Sequence, residues 1–239
     1  MMFITVIIHE LKNMTRDKMY KFFLVYPIIM AVIVYFLVPY LKETAGDLAA
    51  HILILMFILL NGFVFGAITG FTLLDDQDDN VLFSLKITPI SVKTYIISKL
   101  GFSYLIGFVA SLVLILVTGF LKDSSFITLL MITVLATMQA PIYALLINCF
   151  AKNKVEGFVI MKLSGIILLV PIVALFINNW TELFLSVIPG FWVSRLVSIQ
   201  LIPGEPFLKS SYLYFALGMI INIILVVLLF KIYARRVRI

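Results

Sequence analysis

Long apolar stretches separated by short polar connections make up most of this 239-residue chain. A helix needs about 20 apolar residues to cross a hydrocarbon core of about 30 Å. Six stretches reach that length, at about Tyr20–Leu41, His51–Leu74, Tyr95–Leu121, Phe126–Phe150, Val155–Ile177 and Ser211–Tyr233. The pattern predicts an all-α polytopic membrane protein with six transmembrane helices, and it leaves no room for a soluble domain of ordinary size.

The first twenty residues are amphipathic instead of uniformly apolar. On a helical projection the apolar residues share one face, and they are Phe3, Ile4, Ile7, Ile8, Leu11 and Met14. We therefore expect residues 1–20 to form an interfacial helix on the cytoplasmic surface, which turns into the first span near Lys21. Residues 21–233 are then expected to form the transmembrane domain.

The external connection before the last span, residues 178–210, is too apolar for a plain linker. Two short apolar runs flank Pro189-Gly190, and both tryptophans of the chain, Trp180 and Trp192, lie in this segment. Tryptophan favours the membrane interface. Neither run is long enough to span, so the segment either re-enters the bilayer or lies on its surface as short helices.

Composition and charge agree with a membrane protein and indicate its orientation. Hydrophobic residues make up 63% of the chain, charged residues 13%, and the mean hydropathy is +1.18. With both termini inside, the internal basic residues are Lys12, Arg16, Lys18, Lys21, Lys86, Lys93, Lys99, Lys152, Lys154, Lys162, Lys231, Arg235, Arg236 and Arg238, against Lys42, Lys122, Arg195 and Lys209 outside. This asymmetry predicts a multi-pass protein of the plasma membrane with both termini cytoplasmic.

The net charge of +6 follows from this topology and from contact with anionic membrane lipid, so we expect no nucleic-acid partner. The basic tail, residues 234–239, is expected to lie at the inner surface.

Small residues recur every four positions in two spans. Gly62, Gly66 and Gly70 place a smooth face on the second span, and we expect Ser103, Gly107 and Ser111 on the third span to answer it at the same spacing. Small residues at this period let helix backbones approach closely. The face serves either subunit association or pairing within the chain, and we expect pairing within the chain.

Four amide side chains interrupt the apolar spans: Asn61, Gln139, Asn148 and Asn222. They should face the bundle interior, as residues of a transport pathway or as interhelical hydrogen-bonding groups. Proline removes a backbone donor, so Pro27, Pro141 and Pro171 are expected to bend their spans.

The loop between the second and third spans is the most elaborate connection. Four aspartates within five positions precede an amphipathic segment from Val81 to Ile87. That segment is expected to end at Thr88-Pro89, and the next helical segment to begin at Ser91. Proline fixes its own backbone and restricts the preceding residue, so the loop is expected to be stiff. We interpret residues 75–94 as a cytoplasmic docking element.

The aspartates also fit a catalytic alternative. Residues 75–79 match the DDxxD pattern with which intramembrane prenyltransferases hold Mg²⁺ and a diphosphate. That chemistry needs a second acidic cluster, which the remaining acids do not form. No HExxH, GxSxG or GxxxxGK[ST] sequence occurs, so we predict no metal site, no catalytic residue and an energy source on a partner.

The docking loop also carries a family resemblance. Thr88-Pro89-Ile90-Ser91, Tyr95 and Lys99 follow the acidic turn with the spacing Thr-Pro-Ile-Ser-x-x-x-Tyr-x-x-x-Lys. With its six spans and amphipathic N-terminus, the chain resembles the permease subunit of a type-2 ATP-binding-cassette (ABC) exporter, and the stretch at 189–192 is similar to that family's external re-entrant region. One departure is Asn80-Val81, where the family commonly has Gly-Thr.

The resemblance implies a division of labour. Two permeases, identical or paired with a relative, form the pathway, while two cytoplasmic ATPase subunits hold ATP and Mg²⁺; this chain itself needs no cofactor. The docking loop and the loop Ala151–Glu156 are then the ATPase-coupling contacts, through Asp75, Asp76, Asp78, Asp79, Leu82, Leu85, Pro89, Ser91, Lys152, Lys154 and Glu156.

The function we predict is an exporter permease that moves an amphipathic or hydrophobic substrate outward, such as a drug, an antimicrobial peptide or a lipid-like molecule. Two alternatives from other classes stay open. One is the Mg²⁺-dependent prenyl-type transferase built on the Asp75–Asp79 cluster. The other is an ATP-independent membrane scaffold, which would be isolated without any ATPase.

Overall fold

The computed structural model describes residue 12 and residues 18–88, 91–177, 179–202, 207–208 and 210–237. Most of the predicted interfacial helix, together with Pro89 and the end of the basic tail, lies outside these ranges. Within them the secondary structure is helical and no strand occurs. The helices are α1 (Lys18–Ala45), α2 (Asp47–Asp78), α3 (Val81–Leu85), α4 (Val92–Thr118), α5 (Phe126–Thr137), α6 (Gln139–Phe150), α7 (Lys154–Ile167), α8 (Val170–Ala174), a 3₁₀ helix (Trp180–Leu185), α9 (Phe191–Leu201) and α10 (Ser211–Arg236).

Six helical stretches of the described residues are long and apolar enough to cross a membrane. They are called spans 1 to 6: Val25–Ala45, Asp47–Asp78, Val92–Thr118, Phe126–Phe150, Lys154–Ala174 and Ser211–Arg236. The predicted fold class, an all-α polytopic membrane protein with six spans, is confirmed. The predicted boundaries differ from these by a few residues.

Local sequence explains where several helices begin and break. The side chains of Ser125 and Asn153 accept hydrogen bonds from the backbone N–H three residues later, as N-caps do. Gly119 ends α4 with a positive φ of 62°. Span 4 consists of α5 and α6 because Pro141 lacks the N–H that would bond the carbonyl of Thr137, where α5 ends.

Spans 2 and 4 form the centre of the bundle. Within their most apolar windows 72% and 78% of the residues are buried, against 17%, 22% and 17% for spans 1, 5 and 6. The outer spans therefore present most of their surface away from the chain, to lipid or to another subunit.

The glycine row of span 2 packs against span 4. A Cβ atom placed on Gly62 or Gly66 would lie 2.7 or 2.6 Å from the backbone carbonyl oxygens of Ala136 or Ala140, and one on Gly70 would meet Ile147. The two backbones are in contact along this row, as small residues at this spacing allow. The row thus pairs helices within the chain, with no need for a second subunit.

Span 3 packs against a different face of span 2, which corrects the expectation that Ser103 and Gly107 answer the glycine row. The hydroxyl of Ser103 donates to the carbonyl of Phe65 at 3.1 Å. A Cβ on Gly107 would have only ordinary contacts, 3.8 Å from Phe65 and from Thr137. Small residues spaced four apart define a smooth helix face, but this spacing does not identify which helix packs against that face.

Replacing Gly66 by alanine should therefore destabilise the bundle. The added methyl group forces α2 and α6 apart, and overpacking of this kind costs about 1–3 kcal/mol in the free energy of unfolding. The matched control is Gly165→Ala in span 5, where the new Cβ would lie 3.7 Å from Phe63 and meet no backbone. Thermal unfolding of both variants in the same detergent checks the difference; equal midpoints would contradict the close approach.

Candidate functional site

The two ends of the bundle carry different chemistry. Spans 2, 4 and 6 finish, and spans 3 and 5 begin, at the end that holds Asp75–Asp79, here called the acidic end. The opposite end holds residues 179–202 and is called the hairpin end. Most of the predicted coupling residues lie at the acidic end.

The turn after span 2 depends on Asn80. This residue has a φ of 56°, in the left-handed region that glycine adopts most easily and asparagine tolerates best among the other residues. Asn80 therefore lets the chain reverse from α2 into α3. Asn80 stands where the family commonly has glycine, and it adopts the left-handed backbone conformation that a glycine would adopt most easily.

Two of the four aspartates hold neighbouring helices together. Asp75 forms an ion pair with Lys154 at the start of span 5, at 2.7 Å. Asp76 forms an ion pair with Lys99 of span 3, whose side chain is 2% exposed, and accepts a hydrogen bond from the hydroxyl of Tyr95 at 3.1 Å. Both carboxylates thus fix the end of span 2 relative to spans 3 and 5.

The other two aspartates, Asp78 and Asp79, are exposed at the end of α2. They remain accessible to a partner. Within the described residues no group of three or more His, Cys, Asp or Glu side chains is arranged to hold a metal ion.

A polar network next to the aspartates extends this connection to spans 4 and 6. The side-chain nitrogen of Gln77 donates to Asn148 Oδ1 at 2.8 Å and to the hydroxyl of Tyr233 at 3.2 Å. Asn148 donates to the carbonyl of Gly70, and Arg236 donates to the carbonyl of Asn148 at 2.6 Å. In this structure Asn148 is therefore an interhelical hydrogen-bonding residue.

The short helix α3 turns its apolar residues in two directions. Leu82 is 6% exposed and lies in the core cluster that contains Tyr95, with Leu85 packed against that cluster. Phe83 and Ile87, four residues apart, are 70% and 89% exposed. We define the docking face as Asp78, Asp79, Phe83 and Ile87.

This arrangement corrects the expectation that Leu82 contacts a partner directly, because its side chain is inside the permease. Sequence reasoning missed Phe83 and Ile87. Nearly every residue from Val81 to Ile87 is apolar, so the periodicity of so short a segment does not reveal which face is exposed. Ser91 is the N-cap of α4, which follows this loop. Its hydroxyl oxygen accepts a hydrogen bond from the backbone N–H of Thr94 at 3.1 Å.

The second predicted contact, Ala151–Glu156, is a tight turn between spans 4 and 5. The carboxylate of Glu156 accepts from the N–H of Lys152 at 2.7 Å, while Asn153 accepts from the N–H of Glu156 at 3.0 Å. This reciprocal arrangement resembles a capping box. Glu156 therefore shapes the turn, Lys154 ties it to Asp75, and Lys152 is exposed.

The remaining amide candidates are buried in the described part of the chain. Asn61 and Gln139 are at most 1% exposed, and Asn222 is 2% exposed. Neither polar atom of the Asn61 side chain has a hydrogen-bond partner within the described residues, nor does Oε1 of Gln139. The structure does not bring these three together with Asn148, which lies at the acidic end.

The segment at the hairpin end reaches deep into the bundle. Gly190, with a φ of 88°, lies against Pro171 and Leu59, and a Cβ placed on it would be 3.5 Å from Oε1 of Gln139. Gln139 is next to the middle residue of span 4. The tip of this segment thus lies about halfway along the central span, and the first eight residues of α9 are buried.

A buried ion pair fixes this segment. Nε of Arg195 lies 2.9 Å from Oε2 of Glu182, and both side chains are at most 1% exposed. The hydroxyl of Tyr214 in span 6 donates to Oε1 of Glu182 at 2.7 Å. Arg195 also donates to the carbonyl of Ala174 and to the hydroxyl of Ser198. Arg195, which the charge pattern places among the external basic residues, is therefore a structural group inside the bundle.

Known proteins match the chain over most of its length. The family described as "Fluoroquinolones export permease protein Rv2686c-like" matches residues 10–230. Two curated relatives are the fluoroquinolones export permease proteins MT2760 and Rv2686c, from the CDC 1551 / Oshkosh and ATCC 25618 / H37Rv strains of Mycobacterium tuberculosis. Each is 22% identical over 217 residues, which covers 86% of this chain and 86% of the relative. No solved structure matches.

Proposed function

This chain belongs to the Rv2686c-like fluoroquinolones export permease family, and we propose that it is the membrane-spanning subunit of an ABC exporter. It moves an amphipathic drug outward, of the fluoroquinolone type named for its relatives, with ATP hydrolysed by a separate cytoplasmic subunit. Two permeases, identical or related, form the pathway. The family match gives no support to the prenyl-type transferase alternative.

The observation that carries this proposal is the docking face. Phe83 and Ile87 expose large apolar side chains on the connection between spans 2 and 3, outside both candidate spans. Burial of exposed apolar side chains by a partner protein is favourable, because it removes apolar surface from water. Asp78 and Asp79 beside them favour a partner surface with an apolar pocket and a basic rim.

The connections behind the docking face explain how a partner would act on the spans. Asp75, Asp76 and Gln77 link the end of span 2 to spans 3, 4, 5 and 6 through Lys99, Asn148, Lys154 and Tyr233. An ATPase shifts the permease only if it binds its two conformations with different affinity. A loop attached to five spans transmits that difference to the whole bundle.

The acidic end is the cytoplasmic end in this proposal, with both termini inside the cell. Basic residues are more frequent near this end than near the hairpin end, which fits the positive-inside rule: Lys86, Lys93, Lys99, Lys152, Lys154, Lys231, Arg235 and Arg236 lie near the acidic end, against Lys42, Lys122 and Arg195 near the other. The hairpin end then faces outward, and its buried segment closes the external half of the permease.

The proposal predicts that Phe83→Ala with Ile87→Ala abolishes association with the ATPase. Large residues at the centre of an interface often contribute 2 kcal/mol or more, roughly a thirtyfold change in affinity. The test is affinity purification of the permease in mild detergent, with mass spectrometry of stoichiometric partners. An ABC-type ATPase should accompany the unaltered permease and be lost from the double variant.

The matched control is Phe184→Ala with Val187→Ala, which removes similarly exposed side chains, 74% and 60%, at the hairpin end. This variant should retain the ATPase. Recovery of the unaltered permease with no ATPase would contradict the proposal and favour the scaffold alternative. Equal loss in both double variants would show that general instability, and not the docking face, is responsible.

A further inference from the structure

Asn61 is a buried amide without a hydrogen-bond partner. Its side chain is 1% exposed, and within the described residues neither Oδ1 nor Nδ2 is bonded. Gly62, the next residue, lies against the carbonyl of Ala136, two residues before Met138 at the middle of span 4. Asn61 therefore lies about halfway across the bundle, where the hydrocarbon core provides no bulk water for its polar atoms.

The contacts between spans 2 and 3 show what faces Asn61. The two spans are antiparallel, since Asp76 at the end of span 2 pairs with Lys99 near the start of span 3. Further into the membrane, the hydroxyl of Ser103 donates to the carbonyl of Phe65 at 3.1 Å. A Cβ on Gly107, one turn beyond Ser103, would lie 3.8 Å from the side chain of Phe65.

One further turn toward the hairpin end brings Ser111 of span 3 opposite Asn61 of span 2. The next turn agrees with this register, because Leu114 and Ile58 belong to the same core cluster. Ser111 is 0% exposed, and its hydroxyl has no hydrogen-bond partner in the described part of the chain. Two unpaired polar side chains thus face each other between the same two spans.

Span 4 supplies a third wall through Thr137, which is 0% exposed and lies 3.8 Å from the Cβ position of Gly107. Its hydroxyl donates to the carbonyl of Thr133 in its own helix at 3.0 Å, so its oxygen can still accept a hydrogen bond. Asn61, Ser111 and Thr137 are all uncharged. Such a set of groups suits a neutral hydrogen-bonding ligand better than a metal cation, which prefers carboxylate oxygens.

Asn148, an equally buried amide, shows the usual arrangement. Its Nδ2 donates to the carbonyls of Gly70 and Ala144, and its Oδ1 accepts from a neighbouring side chain. A buried amide or hydroxyl without such bonds costs free energy, because it gives up the hydrogen bonds that it makes to water. Asn61 and Ser111 make no direct hydrogen bond to each other. A small molecule between them would satisfy both.

We propose that Asn61 and Ser111 form a binding site for an ordered water molecule. The water exchanges hydrogen bonds with the amide of Asn61 and the hydroxyl of Ser111, and it donates to Oγ1 of Thr137. Buried waters typically make about three such bonds. The water then joins span 2, whose end carries the docking face, to spans 3 and 4 halfway across the membrane. This inference goes beyond the proposed function and does not depend on it.

Water-edited solid-state NMR of the ¹⁵N-labelled permease in lipid bilayers tests the site, since magnetisation passes from water only to nearby protein groups. The side-chain amide of Asn61, assigned by its loss in Asn61→Leu, should receive magnetisation from water. The side-chain amide of Asn148 is the internal control, because both of its hydrogens are bonded to carbonyls. Transfer to Asn61 no greater than transfer to Asn148 would overturn the inference.

A pair of serine variants tests the role of Ser111. Ser111→Ala should reduce the transfer to the Asn61 amide, because the water loses one of its partners. Ser164→Ala is the matched control, since Ser164 in span 5 is 2% exposed and bonds the carbonyl of Ile160 in its own helix; it should leave the transfer unchanged. Unchanged transfer in Ser111→Ala, or an equal loss in both variants, would contradict the assigned site. Because hydration is measured instead of transport, neither result bears on the exporter function.

Discussion

Glu182→Gln is expected to lower the free energy of unfolding by about 3–5 kcal/mol, the usual cost of leaving one member of a buried ion pair without its partner. Arg195 would then keep a full charge in a site where its side chain is not exposed. The amide at position 182 would accept a hydrogen bond from Tyr214 but would not neutralise the guanidinium. Because Glu182 and Arg195 join the 3₁₀ helix to α9, the whole hairpin-end segment should loosen.

Unfolding in detergent, followed by tryptophan fluorescence, measures this effect. The matched control is Asp47→Asn at the same end of the molecule, whose ion pair with Lys42 is 3.5 Å long and largely exposed; it should cost less than about 1 kcal/mol. Combining Glu182→Gln with Arg195→Met should recover part of the loss, since no unpaired charge then remains. If Glu182→Gln and Asp47→Asn have equal midpoints, the buried pair contributes little to stability.

Lys99→Met is expected to have the second largest effect, about 3 kcal/mol of destabilisation. Lys99 is 2% exposed, and its loss leaves Asp76 with the hydroxyl of Tyr95 in a poorly hydrated site. The end of span 2 should move more freely, so amide hydrogen exchange should increase from residue 75 to residue 88. Unfolding midpoints and hydrogen exchange in detergent measure the two consequences.

The adjacent pair supplies the control for this prediction. Lys154→Met removes one ion pair of Asp75, but the two side chains are 40% and 28% exposed, so the expected cost is below about 1 kcal/mol. A loss in Lys154→Met as large as that in Lys99→Met would show that burial does not determine the importance of these pairs.

The six spans were predictable because each depends on a continuous apolar run of about 20 residues, which is a local property of the sequence. The break of span 4 was also predictable, since Pro141 removes a backbone donor wherever it stands. Span 1, in contrast, continues as one helix through Pro27. A proline shows where a hydrogen bond is missing, but neighbouring packing decides whether the helix is interrupted.

The candidate site was predictable as a segment and not as a set of side chains. The four aspartates mark the loop, yet their division into two paired and two exposed carboxylates depends on Lys99 and Lys154, which lie far along the chain. Likewise Glu182 and Arg195 are 13 residues apart, with no pattern that pairs them. Contacts between distant positions are set by tertiary packing, which periodicity does not encode.

The most direct test of the account is ATP-dependent accumulation of a fluoroquinolone in inside-out vesicles that contain the permease with its ATPase. The account predicts accumulation with the unaltered permease and with Phe184→Ala/Val187→Ala, and at least a tenfold loss with Phe83→Ala/Ile87→Ala at equal amounts of permease. Accumulation that does not require ATP, or normal accumulation in the docking-face variant, would contradict the claim that this chain is an exporter permease driven through its docking face.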